Sequence, residues 1–144
     1  MKFYISYFAQ MRHFTRNILP VSTAAWDAKW FEGIDRIDDL LIPLETVAKL
    51  EQHQQMCYKG CQRALPCPFM QEYAKYLDTL DFAAIIKQLE SFANEYTDTI
   101  VLLVYEMPSV KCAERPVLQE WFRKNGVELE EWQKPVKNKK VSLI

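Results

Sequence analysis

Glycine is scarce: Gly33, Gly60 and Gly126 are the only three in 144 residues and lie far apart. That excludes a glycine-rich phosphate loop and the dinucleotide-binding fingerprint, both of which need clustered glycines for close backbone approach. Histidine is rarer still. His13 and His53 cannot form the paired helix motif of a zinc protease, and no Gly-x-Ser-x-Gly elbow is present. Long apolar runs are missing as well, since no stretch nears the roughly 20 residues needed to cross a bilayer. Residues 1–8 are apolar too briefly, and lack the small-residue cleavage pattern, to read as a secretory signal. Neither charge sign dominates, with 18 Lys and Arg against 19 Asp and Glu. No global field therefore draws the chain toward nucleic acid, and any anion site has to be local. A cytoplasmic protein without membrane association is expected.

What is present suits one globular domain. Half the residues are hydrophobic, at 49%, and 26% are charged, enough apolar matter for one core but not for two. The expected domain spans residues 1–132, followed by a basic tail over 133–144 that holds Lys134, Lys137, Lys139 and Lys140. Such a tail reads as solvated; nucleic acid stays open as a partner for it, and a second copy of the chain, in a homodimer, is another.

Residues 3–8 are aromatic and β-branched, which predicts a first strand ending near Ser6 and Tyr7. Residues 18–22 form a second, and Pro20, lacking a ladder donor, pushes it toward an edge or a bulge. Trp26, Trp30 and Phe31 crowd together without a clear period and read as a lid on a core or cleft. Residues 46–55 read as a polar helix. Pro68 suits a first helical position with Cys67 as cap, and Phe69, Tyr73, Tyr76 and Leu77 follow at helical spacing. Asp81 can cap the next helix, whose Phe82, Ile85, Ile86, Leu89 and Phe92 form one stripe. Residues 99–105 are a continuous apolar run, as expected of a central strand covered on both faces. The last helix is predicted from about Pro116 to Lys124, stopped by Asn125 and Gly126, with a return strand over 127–129. The sum is an α/β fold: a small, mainly parallel sheet flanked by helices, Rossmann-like with three layers. Ligands of such sheets bind beyond the carboxyl ends of the strands.

That rule points at residues 106–115, the turn from the central strand into the last helix. Pro116 disfavours helical geometry before it, which makes Arg115 the expected N-cap. Arginine cannot accept from the orphan amides, so a helix start bearing a guanidinium reads as an anion receptor. The same positive field favours a thiolate on Cys112, a candidate nucleophile, while Glu106 or Glu114 is a candidate base. The alternative is a core-packed Cys112 and an Arg115 paired with Glu114 or Glu106. Ser6, Tyr7, Ser22 and Tyr105, at strand ends, complete the expected ligand contacts. A small anionic, nucleotide-like ligand is the leading expectation.

Cys57, Cys61 and Cys67, with Cys112 as a fourth, give a second reading. Reduced thiols can hold zinc or an iron–sulfur cluster, and the domain would then be a metal-stabilised binding scaffold. Their spacing of three and then five intervening residues matches neither a close zinc pair nor a ferredoxin run. His13, beside Arg12 and Arg16, reads as an exposed loop residue; Tyr4, Tyr7, Trp26, Trp30 and Tyr105 read as core aromatics or as a stacking cleft.

Residues 4–9, Val21-Ser22 with residues 26–31, Tyr73 with Tyr76-Leu77, and residues 101–132 resemble the family named domain of unknown function 488. The strongest part is Leu102-Leu103-Val104-Tyr105-Glu106, then Cys112 and Arg115, then Glu120-Trp121, which is similar to that family's acidic strand end and Cys-His-Arg turn. The resemblance implies an α/β fold with a site at this turn. Here the turn reads Cys112-Ala113-Glu114-Arg115, so a histidine-dependent proton transfer has no residue to carry it, and Glu114 is the available substitute.

Overall fold

A computed structural model describes residues 1–24, 33–43, 67–109 and 113–135. Its frame is a five-stranded, all-parallel sheet in the order β3-β2-β4-β1-β5, built from β1 (Lys2–Tyr7), β2 (Ile18–Ser22), β3 (Asp35–Arg36), β4 (Thr99–Val104) and β5 (Glu130–Glu131). Three helices follow the same chain order: α1 (Pro68–Asp78), α2 (Phe82–Ser91) and α3 (Glu114–Lys124). The polar helix expected over 46–55, the aromatics Trp26, Trp30 and Phe31, and the tail beyond residue 135 lie outside the described residues.

The apolar run of β4 becomes the centre of the sheet because it can be covered on both sides. Every one of its residues is buried. Ile100, Leu102 and Val104 face the helices, joined by Ile5 and Val21, and pack against Met70, Leu77, Leu89, Leu118 and Phe122. Val101 and Leu103 face the other way, under Phe8, Trp132, Tyr4 and Phe14. On that second face the cover is a 3-10 turn at Phe8–His13 and the chain after β5, with Phe14 and Trp132 edge-on at 4.7 Å. Side-chain alternation along β4 thus builds two apolar layers around one strand. Each fully buried Leu or Phe in them contributes about 2 kcal/mol.

The helix boundaries follow local chemistry. Asp81 accepts from the Ala84 amide at 3.4 Å and starts α2; Pro68 occupies the first position of α1 behind Cys67, which offers no side-chain cap. α3 ends in a Schellman turn: the Gly126 amide donates to Arg123 O and the Val127 amide to Phe122 O, each at 3.0 Å, with Gly126 at φ 87°. A Cβ there meets no atom within 4 Å, so the cost of adding one is backbone strain alone. Gly126→Ala is expected to destabilise the fold by about 1 kcal/mol, and Gly126→Asn by less, in urea unfolding. Equal stability of all three proteins would contradict the left-handed geometry.

Three expectations are corrected. β2 is an interior strand, not an edge, although β3 begins to pair with it only at Val21, so residues 18–20 meet β4 alone and Pro20 is tolerated. The return strand forms at Glu130–Glu131 instead of 127–129, because the Schellman turn consumes Val127 and Leu129 is drawn into the core first. The last helix starts at Glu114, with Ala113 as N-cap and no side-chain cap bond. Arg115 is therefore its second residue, not the cap. Proline at the third position is compatible with this, since the first four helical amides have no intrahelical partner to lose.

Candidate functional site

The carboxyl ends of β1, β2 and β4 lie together, and register fixes what each contributes. Ser6 and Ser22 both pair with Leu103, one on either side. Alternation sends these hydroxyls to the face away from α1–α3, since Ile5 and Val21 point toward the helices. Both are buried. Ser22 Oγ accepts from the Ala24 amide at 3.3 Å, whereas Ser6 Oγ has no hydrogen-bond partner among the described residues. Thr23 closes the end of β2 by donating its hydroxyl to Leu103 O at 3.0 Å. Tyr7 accepts from Gln10 Nε2 at 2.9 Å, and Tyr105 is exposed with its ring 5.4 Å from that of Phe8.

On the helix side the same edge carries charge. Glu114 and Arg115, the first two residues of α3, are both buried, an unusual pair of identities for such positions. Glu114 is pushed up to about 8, first by burial and then by the neighbouring Glu106 carboxylate; the backbone and Arg115 oppose this. A helix start favours an anion by about 0.3–1 kcal/mol, too little to offset burial beside a second carboxylate. Glu114 therefore keeps its proton at neutral pH and acts as a donor. Its surroundings favour the acid form over the base expected at this position. Tyr73, buried in α1 and donating its hydroxyl to Leu40 O, is raised well above its ordinary value by burial and then by Glu114.

Arg115 does not pair with Glu106 or Glu114. Its Nε lies 2.6 Å from Glu131 Oε1, on edge strand β5. The contact is close but poorly aligned: Nε, Nη1 and Nη2, and both Glu131 oxygens, make no well-directed hydrogen bond among the described residues. The Arg115 side chain is 5% exposed and that of Glu131 19%. Burial raises the Glu131 carboxyl, and Arg115 pulls it back down. Glu131 is not among the residues that the sequence singles out. Its only signal there is position, after the last helix, where a returning strand must place side chains alternately on the helix face.

The structure thus brings Glu106, Glu114 and Arg115 together and adds Glu131. Ser6 and Ser22 sit at the same edge but on the opposite face, and Tyr7 and Tyr105 serve local packing. Cys112, Cys57 and Cys61 lie outside the described residues. Cys67 is a free thiol buried in the helix-side core, and among the described residues no group of three His, Cys, Asp or Glu could hold a metal ion. A groove of about 470 Å³ lies between α3 and β5, lined by Pro116, Gln119 and Glu131 among others. No described helix is long and apolar enough to cross a membrane. No family model, curated protein or solved structure matches the chain, so the family resemblance rests on its motif residues alone.

Proposed function

We propose that this chain binds a small anionic, nucleotide-like ligand at the carboxyl edge of its parallel sheet, with Arg115 as the anion contact. The supporting observation is the buried guanidinium itself, whose N–H groups are met among the described residues by one carboxylate in poor alignment. Each buried polar group left without a hydrogen bond costs about 1–3 kcal/mol. A well-packed apolar residue would avoid that cost, so retention of the guanidinium argues for a task outside folding. Its location agrees, because open parallel sheets bind ligands beyond the carboxyl ends of their strands.

The Glu106 and Glu114 carboxyls add acid–base chemistry to the same edge. Glu114, the acid that holds its proton, can deliver it to a leaving oxygen or amine and is itself left as the carboxylate. Cys112 stays the candidate nucleophile of this reading. Thermal unfolding tests the binding step directly. Adenosine 5′-monophosphate, glucose 6-phosphate and inorganic phosphate are titrated separately, and at least one should raise the midpoint with its concentration. A ligand at a hundredfold excess over its dissociation constant adds about 2.7 kcal/mol, several degrees for a chain of this size. Arg115→Met should lose that rise. A midpoint indifferent to all three compounds at millimolar concentration would remove the proposal.

A further inference from the structure

We infer that Glu131 is a built-in competitor for the Arg115 site, so that the site admits doubly charged phosphoryl groups and turns away monocarboxylates. The inference rests on the proposed anion site and deepens it. Three observations carry it. The shortest approach is Glu131 Oε1 to Arg115 Nε at 2.6 Å, without the aligned hydrogen bonds of the parallel two-bond fork that makes arginine–carboxylate pairs strong. None of the five polar atoms involved makes an aligned hydrogen bond among the described residues, so the occupant leaves the guanidinium incompletely satisfied.

The second observation is where Glu131 sits. β5 has two residues, lies at the edge of the sheet, and is tied to β1 through Tyr4↔Glu130 and Ile5↔Glu131, with the Trp132 amide donating to Ile5 O at 2.8 Å. The side chain is the more exposed of the ion pair. The third is room to move. The groove of about 470 Å³ between α3 and β5 is lined by Glu131 together with Pro116, Gln119, Arg123, Glu128 and Glu130, and turning into it is the movement that displacement of the carboxylate requires.

Selectivity follows from the competition. A carboxylate tethered in place loses little freedom on binding, whereas a free one brings the same single charge and must give up its own translation. A free monocarboxylate therefore cannot displace Glu131. A phosphate monoester dianion brings two charges and three acceptor oxygens, enough to meet Nε, Nη1 and Nη2 at once.

Isothermal titration of the whole chain tests this, using adenosine 5′-monophosphate and the matching adenosine 5′-carboxylate. The natural protein should bind the phosphate and show no heat with the carboxylate. Glu131→Gln should bind the phosphate about tenfold more tightly and gain carboxylate binding. Glu131→Asp keeps the charge but shortens the arm, and should also bind the phosphate more tightly; it carries the test if Glu131→Gln does not fold. Weaker phosphate binding by either variant would show that Glu131 positions Arg115 and would overturn the competitor role while leaving the ligand site intact. Equal binding of phosphate and carboxylate by the natural protein would overturn it too. Absence of binding to every protein would overturn both the site and the competition.

Discussion

Arg115→Met is expected to lower the free energy of unfolding by about 3 kcal/mol, because removing one member of a buried pair strands the other. The stranded group is Glu131, whose carboxyl is already raised by burial and loses the one opposing influence, the guanidinium 2.6 Å away. It will either stay charged at high cost or take up a proton. Adding Glu131→Gln to Arg115→Met should recover about 1–2 kcal/mol of the loss, since an amide carries no charge to strand. A cycle of the two single variants and the double, read by urea unfolding at pH 7, gives the coupling between them. Additive losses would mean that the two side chains do not interact in solution. Arg115→Lys separates charge from shape: it keeps the cation but has no planar fork, and should retain stability better than Arg115→Met while binding phosphate weakly.

Much of the frame is legible in the amino-acid sequence. Period and run length locate β1, β4, α1, α2 and α3, because these are long enough for burial to leave a pattern. Asp81 and the Asn125-Gly126 pair mark helix ends because their chemistry is local. β3 and β5 leave no such pattern. Asp35–Arg36 and Glu130–Glu131 are polar pairs, and they become strands only because β2 and β1 offer unpaired edges at the right height. Local rules also misjudge the start of α3. The bias against helical geometry before proline is real, yet here Glu114 and Arg115 are held in the helix by packing against α1 and by contacts with Glu106 and Glu131.

The site is legible in its residue types and not in its pairings. Glu106, Glu114 and Arg115 stand within ten residues of one another, so a charged turn is evident. Whether Arg115 pairs locally depends on a residue beyond the helix. Glu131 reaches it because the Schellman turn reverses the chain and β5 registers Glu131 against Ile5, whose side chain faces the helices. That is a tertiary fact with no local signature. Burial likewise decides the roles of the two acids. A glutamate at the first position of a helix reads as a stabilised anion, and only the proximity of Glu106, together with exclusion of water, converts it to a proton carrier.

Stability should fall as pH rises from about 5 to about 8.5, and Glu114 is the reason. Its ordinary value of 4.5 moves to about 8 in the folded protein. Between those values the unfolded chain has shed the proton that the folded chain keeps, so the folded state binds more protons and loses ground with each unit of pH. The contribution is fully present below about 4.5 and is lost through about 8; at ~1.4 kcal/mol per unit and allowing for partial solvation it amounts to about 3 kcal/mol. Glu131, also raised, acts in the same direction. Asp98 and Glu120 are lowered by their hydrogen-bond partners, and their contributions change only at pH values below this window; His13, lowered by burial and by the cations Lys134 and Arg12, works in the opposite direction in the lower part of the window. Glu114→Gln mimics the protonated acid, so it should flatten most of the slope and exceed the natural protein in stability at pH 8.5. Urea unfolding of both proteins at pH 5, 7 and 8.5 reads the difference. A natural protein whose stability is level across that range, or a Glu114→Gln protein that keeps the full slope, would mean that Glu114 ionises normally and has no proton to lend a ligand at neutral pH.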